Sequence, residues 1–467
     1  MPGLLTTLGS TATALNADSA AINITSNNIA NANNPNYAEE VAVFNDLGMV
    51  ETEEGPQSIG VSVTTTQQTS AVLNAMVQLE ASLTSGYTAQ QTVLQQAQAS
   101  LGDSVSSSST TGSASSTTSE SGLGSAIDSF FNAFQSYAAD PTDQGVQNSL
   151  VQQATVLTDR FQEIDQNLAE VQTGAQSQVT TDVSTANNLL SQVATLNGQI
   201  ASLEVNNPGS AVDLRDTREA DLEQLAGLMP ITVTQGSNGE DQVSSGGVTL
   251  VSAGTVANSL SYNSGTGVIS AGSTALSLTS GSIQGTLSAS SGGVQDLRNS
   301  IDALANQIVT SVNAAYNPGS TVGGNFFDST GTTAATIALD SNLSASTLTA
   351  GPTGGSDNTT ALAVAALANQ QFSTGSGDAI QGTFDSSYAD AVSAVGNALD
   401  TANTQVTNQT NIQTIVSNER ASVSGVSIDN EMTNLMTYQR AYQASSEVFQ
   451  VVNDLLYTVV SSLVTAN

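Results

Sequence analysis

Two segments at opposite ends of the chain carry the same heptad rhythm, and neither can bury its apolar stripe alone. Near the N-terminus, Leu5, Leu8, Ala12, Leu15, Ser19, Ile22, Ser26 and Ile29 recur in alternating steps of three and four. Near the C-terminus, Ile428, Leu435, Tyr438, Tyr442, Phe449, Val452, Leu456, Val459 and Leu463 do the same, with Glu431 and Ser445 in the remaining seam positions. Such a stripe needs a partner helix to cover it. Chain ends are ordinarily the loosest part of a domain. Strong patterning at both ends predicts that they pair with each other and with neighbouring subunits.

Charge narrows the choice of partners. Six basic and 40 acidic residues give a net charge of −34, with no His. All the bases are arginines: Arg160, Arg215, Arg218, Arg298, Arg420 and Arg440. A nucleic-acid binder needs a basic stripe to displace counterions from phosphates. None exists here, so DNA, RNA and anionic membrane surfaces are poor partners. Charged residues are only 10% of the chain, so subunit contacts should rest on apolar seams and neutral hydrogen bonds. There is no Cys, which removes disulfides, thiolate metal sites and a Cys nucleophile. The first arginine is Arg160, so no basic region precedes the early leucines, and no cleaved Sec-type signal is expected. The stretch Val448 to Val464 contains Gln450, Asn453 and Asp454 and is too polar to span a membrane.

The pattern along 467 residues predicts two to four domains. A first helix runs from about Leu4 to Ile29 and stops in Asn31-Ala-Asn-Asn-Pro-Asn-Tyr37, where Asn suits the helix end and Pro35 forbids continuation. Residues 38–70 are extended, with Val41, Val43, Val61 and Val63 alternating, and a second helix spans Ala71 to Leu101. Residues 104–119 are almost wholly Ser, Thr and small, a surface loop. Phe130, Phe131, Phe134 and Tyr137 form an aromatic helix face. Asp140-Pro141 reads as the start of a very long helix, with Asp140 as N-cap, reaching about Leu203. A break at Pro208-Gly209 precedes a helix from Val212 to Leu228. Residues 231–284 carry alternating runs separated by Asn238-Gly239, Gly246-Gly247 and Gly265-Thr-Gly267, which are hairpin signals. Helices return at Val294–Tyr316, at 359–370 and from Tyr388 onward.

The Asn-rich segment Ser26-Asn27-Asn28-Ile29-Ala30-Asn31, followed by Tyr37, resembles the N-terminal signature of flagellar rod, hook and hook-associated proteins. Alone it is a helix end rich in capping residues. Gly425-Val-Ser-Ile428-Asp429, with Glu431, Leu435, Gln439, Tyr442 and Ala444, resembles the C-terminal signature of the same proteins, and two matching ends are far more specific than one. Within that group the chain resembles the hook-associated protein 1 (FlgK) family. Three stretches carry this: Phe130-Phe131 through Asp140-Pro141, Leu196-Asn197 through Arg218, and Gly281-Ser-Ile-Gln-Gly285 through Asn313. At the Tyr37 position the chain departs from the family. Asn36 stands where the family usually has Gly, and Ala38-Glu39-Glu40 replaces an Arg-containing tail.

Asp213, Arg215, Asp216, Arg218, Glu219, Asp221 and Glu223 invite a metal or acid–base reading. The plainer one is stronger: acids complement a helix start, and Arg215–Glu219 has i,i+4 spacing. No calcium-loop spacing is present. Without His, Cys or Lys, catalysis would fall to paired carboxylates, and no Trp is available to line a sugar cleft. We expect no enzyme activity, cofactor or metal.

The expected fold is mainly α with β-rich insertions. Residues 1–45 with 426–467 form a coiled-coil axial domain. A helical bundle comprises 46–230 with 286–316 and 381–425. Residues 231–285 form a β-rich insertion and 317–380 a Gly/Ser/Thr-rich outer insertion. The resemblance implies a flagellar structural subunit joining hook to filament, exported without a cleaved signal and located outside the cell. Its partners would be copies of itself in a ring, the hook protein, the next hook-associated protein, and a cytoplasmic export chaperone on the C-terminal helix. The expected assembly interface is Leu5, Leu8, Leu15, Ile22, Asn27, Asn28, Ile29, Asn31 and Tyr37 with the C-terminal stripe from Ile428 to Leu463, roughly 50 Å of helix. The alternatives are a hook or distal rod protein of the same group, or a secreted adhesin-like surface protein.

Overall fold

The computed structural model describes residues 2–52, 55–102, 122–205, 209–236, 238–320, 324–353 and 356–465. The Ser/Thr run 104–119 and Pro208 lie outside these residues.

Helix α1 (Pro2–Asn31) ends at the Asn-rich segment. The chain then runs out along β1 (Glu40–Asp46) and β2 (Met49–Thr52) and returns along β3 (Gly55–Ser58) and β4 (Val61–Gln67), a long antiparallel arm. Val41 pairs with Thr66 and Val43 with Thr64. This arm packs on α1, so residues 46–52 and 55–67 lie with the terminal helix, whereas the sequence groups them with the bundle.

α2 (Ala71–Ser100) is capped by Ser70, whose side chain accepts from the Leu73 amide. α3 (Leu123–Ala139) carries the aromatic face, all of it buried. α4 (Gln144–Glu204) is 61 residues long, about 90 Å at 1.5 Å per residue. Its N-cap is Asp143, which accepts from the Gly145 and Val146 amides at 2.6 and 3.2 Å. The expected cap Asp140 instead closes α3, its amide bonded to the Ser136 carbonyl. Because α3 runs through Ala139, Asp140 and Pro141 are used in the turn between the helices, and the next acid takes the capping role.

α5 (Val212–Leu228) follows. The β insertion is two small antiparallel sheets. The first is β5 (Thr232–Gln235), β6 (Asp241–Ser245), β7 (Val248–Ser252) and β8 (Thr255–Val256). The second is β9 (Leu260–Asn263), β10 (Val268–Ala271) and β11 (Thr274–Leu276). Gly246-Gly247 joins β6 to β7 with both residues at positive φ, as a two-residue hairpin turn requires.

α6 (Gly281–Ser288), a π-type stretch (Ala289–Val294) and α7 (Gln295–Tyr316) form one continuous helical run. Residues 281–285, assigned to the β insertion from sequence, are therefore helical. They make a close helix crossing. A Cβ on Gly285 would lie 1.9 Å from the Gly86 carbonyl oxygen of α2, so the two backbones touch and the glycine serves packing.

After α8 (Thr359–Ala366), α9 (Phe384–Ser424) begins with a capping box between Thr383 and Ser386. It runs antiparallel to α2, with Gln91 bonded to Asn403 and Glu80 to Gln409. α10 (Ile428–Thr465) then returns to α1.

Two cores share α4 as a spine. Its first half, Leu150 to Ala175, packs with α3, α7, α8 and α9. Its second half, from Val179 to Ala194, packs with α5, α6 and both sheets. Residues 317–380 are not only an outer decoration. Phe326, Phe327, Ile337, Val364, Phe372 and Ile380 all lie inside the first core. Phe130 touches Phe131, Phe134, Phe326 and Phe327, with ring centroids 5.1 to 5.7 Å apart. The Asn313 side chain holds Phe326-Phe327 in place. It accepts from both backbone amides and donates to the Phe327 carbonyl. Burying these rings is what ties an otherwise polar stretch to the bundle.

Candidate assembly interface

α1 and α10 pack antiparallel along their length. Asn28 meets Glu431 near one end, and Asp18 meets Ser445 further along at 3.2 Å. On α10 the stripe read from sequence faces the partner. Glu431 and Val452 are buried, and Leu435, Tyr438, Ser445, Phe449, Leu456 and Val459 are half-buried. Ile428 and Tyr442 are exceptions, 49% and 42% exposed. The Leu463 side chain lies outside the described residues.

On α1 the expected stripe is off by one residue. The buried positions are Thr11, Ala17, Asp18, Ala21, Ile24, Thr25 and Asn28. Leu5 is 60% exposed, and Leu8, Leu15, Ile22 and Ile29 are only half-buried. One residue on a helix is about 100° of rotation. The cause is that α1 is covered on two sides, by α10 and by the β1–β4 arm. Gln57 bonds to Thr6, and Gly60 lies against Thr13. The arc between those two supports is buried, and small or hydrogen-bonded residues fill it. The large apolar residues flank it.

Asn28 is the node of this arrangement. Its Nδ2 donates to the Glu40 carbonyl at 2.8 Å and to Glu431 Oε2 at 2.9 Å. Its Oδ1 accepts from the Tyr37 hydroxyl at 2.9 Å and from the Glu40 amide at 3.0 Å. All four capacities of the amide are filled, and the residue is fully buried. Asn28 and Tyr37 therefore brace the subunit internally and are not open to a neighbour. Asn27 is exposed and Asn31 half-buried, and Asn31 donates back to the Asn27 carbonyl. Burial, joined by the nearby Glu431 charge for Glu39, holds the carboxyls of Glu39 and Glu40 above the usual range. Burial likewise raises Asp18. Sequence reasoning missed the bracing role. The available signal was Glu431 in a seam position, an acid that needs a buried donor.

A second apolar set stays uncovered. On α10 it comprises Ile428, Met432, Met436, Val448, Val451 and Leu455; on the arm, Phe44, Leu47, Met49 and Val50. Phe44 rests its ring on Tyr438, with centroids 5.8 Å apart, so arm and helix pair form one surface.

The 213–223 cluster is structural. Arg215 does not reach Glu219. It pairs in two places with Glu204, at 2.6 and 2.9 Å. Glu219 accepts from Gln78 of α2. Arg218 bonds Asp241, Asn197 and the Gly239 carbonyl, anchoring the first sheet to α4 and α5. Arg420 of α9 pairs with Glu223. Among the described residues, no three Asp or Glu side chains group as a metal site would require, and no helix is long and apolar enough to cross a membrane.

These features can be set beside known proteins. Residues 108–329 match the flagellar hook-associated protein FlgK helical domain. Residues 418–462 match the C-terminal model of the flagellar basal body rod FlgEFG proteins. Flagellar hook-associated protein 1 of Bacillus subtilis is 24% identical over 96% of this chain and 96% of its own length. The chain is similar to flagellar hook-associated protein 1 along almost its whole length. The Salmonella typhimurium member is 39% identical, over 22% of this chain and 18% of its own length. A solved structure of the flagellar hook junction protein FlgK from Burkholderia pseudomallei overlaps 54% of this chain and 46% of its own, with 23% identity and a TM-score of 0.47. The signatures at 26–37 and 425–444 meet at the Asn28 node, through Asn28, Tyr37 and Glu431.

Proposed function

We propose that the chain is a structural subunit joining the flagellar hook to the filament, as a hook-associated protein 1. The end-to-end alignment with the Bacillus family member carries this reading. The terminal pair supports it: α1 and α10 close on each other and still leave apolar residues outward along α10 and the arm. Surface of that kind marks a site for other chains. In an axial assembly the helix pairs of neighbouring subunits would cover it, forming the inner tube, with the bundle and the β insertion outside. The hook protein would lie on one side and the next hook-associated protein on the other. Before export, a cytoplasmic chaperone would cover the Met432–Met436 face of α10. Export would proceed without a cleaved signal, and the mature subunit would lie outside the cell.

A strain lacking this chain, viewed by electron microscopy, tests the junction role. Hooks without filaments, with filament subunits in the medium, are expected. Normal filaments would overturn the reading.

A further inference from the structure

The terminal pair joins the bundle at a narrow joint where three chain crossings meet: the loop after α1, the end of β4, and the break between α9 and α10. Asp216 of α5 sits at this joint. Its Oδ1 accepts from Gln67 Nε2 at the end of β4, at 2.7 Å, and the backbone amide of Ala38 faces the same carboxyl. Its Oδ2 is buried without a hydrogen-bond partner. Cavities of about 170 and 440 Å³ flank the joint and share Pro35, Asn36, Tyr37, Arg420 and Ser424. Gln67 Nε2 also reaches the Val212 carbonyl at 3.5 Å, and the Glu39 amide donates to the Ser424 carbonyl at 2.8 Å. Few ties cross the joint among the described residues, and the Asp216 carboxyl takes the shorter of the two from Gln67.

We propose that this joint is a proton-responsive clamp. With the Asp216 carboxyl protonated, the terminal pair seats firmly on the bundle; with it ionised, the pair is released to tilt. A carboxylate with one oxygen shielded from water and without a hydrogen bond is costly, and the neutral acid much less so.

The surroundings offer no compensating cation. From the α1–β1 side come Tyr37, Glu39 and Glu40; from α5, Asp213, Arg215, Arg218, Glu219 and Glu223; from β6, Asp241; from α9, Arg420; from α10, Glu431. Arg215 is held by Glu204, Arg218 by Asp241 and Arg420 by Glu223. Burial raises Asp216 from 3.8 to about 7, opposed by Gln67 and Ala38 and reinforced by Glu40 and Asp213. Unseated, the carboxyl returns to its ordinary value, so seating takes up a proton between pH 3.8 and about 7. Seating is strongest below that window. It weakens by up to about tenfold per pH unit across it and is constant above it. Glu39, Glu40 and Glu219 nearby are also raised, chiefly by burial.

The chain has no Cys, so spin labels can be placed on the full-length protein through Thr173→Cys on α4 and Thr433→Cys on α10, both exposed. Distance distributions would be recorded by pulsed electron resonance from about pH 5, clear of the pI near 4.1, to well above the window. The labelled chain should broaden and shift as pH rises, levelling off above about pH 7. Asp216→Asn should keep the seated distribution at neutral pH and lose about one proton of slope. Equal titrations in both proteins, or a pH-independent labelled chain, would overturn the clamp. Should Asp216→Asn not fold, Gln67→Met serves. It removes a donor that favours the ionised form, so the midpoint should rise, and an unmoved midpoint overturns the proposal.

Discussion

Asn28 of α1 donates from Nδ2 to Glu431 Oε2 of α10 at 2.9 Å, closing a contact across 403 residues of sequence. Asn28→Ala would leave the Tyr37 hydroxyl, the Glu40 amide and Glu431 without their partner. Stranded buried polar groups cost about 1–3 kcal/mol each. Faster proteolysis within 1–45 and 426–467 is expected, with the bundle still resistant. Asn28→Asp should be worse, since it adds charge beside Glu40 and Glu431. Unchanged cleavage in both variants would show that the node does not hold the pair.

Gly285 of α6 touches the Gly86 carbonyl of α2, with no room for a Cβ. Gly285→Ala must push the two helices apart. A loss of about 1–3 kcal/mol is expected in urea denaturation, as for other overpacked sites. Gly292 has nothing within 4 Å of a built Cβ, so Gly292→Ala should cost far less.

Glu204 is buried and doubly bonded to Arg215. Burial opposes its charge, but Arg215 and the amides of Gly209 and Ala211 outweigh it and hold its carboxyl below the usual range. Its stabilising contribution is present above the unfolded value of 4.5 and is lost as pH falls through the lower folded value. Arg215→Met leaves the carboxylate buried and unpaired, at about 3–5 kcal/mol. That loss should be largest at neutral pH and shrink once acid neutralises Glu204. A loss that does not change with pH would contradict the pairing.

Leu5, Met436 and Leu455 are each at least half exposed in the subunit. Replacing all three with Glu should leave the monomer's thermal unfolding nearly unchanged, since surface substitutions typically move stability by about 0.5 kcal/mol or less. Assembly should fail, because a carboxylate would then be buried between like-charged subunits. Normal assembly of the triple variant would place the subunit contacts elsewhere.

Much of the fold was legible because its signals are local. The bounds of α5, Val212–Leu228, follow from periodicity between breakers, and the Gly246-Gly247 turn follows from backbone geometry. Most of the α10 stripe was legible because that helix has one main support, so its bulky seam residues, Ile428 and Tyr442 apart, lie on its more buried face. The α1 stripe differs from the buried face because that helix has two supports, and nothing in its own periodicity reveals the second, the arm. The roles of Phe326-Phe327 and Gly285 were hidden for a related reason. A polar stretch conceals two core rings, and a glycine in helix looks like a glycine in a turn until another backbone is seen against it.

The sequence by itself determined most of the helices, the hairpins, the acidic character and the pairing of the two ends, since each depends on residue spacing or on a count. Only the tertiary structure decided which face of α1 is buried, where Asn28 spends its four hydrogen bonds, and that Arg215 reaches Glu204 rather than Glu219. Those outcomes depend on which surfaces arrive together from distant parts of the chain, and a helix with two neighbours buries the arc between them whatever its most apolar stripe.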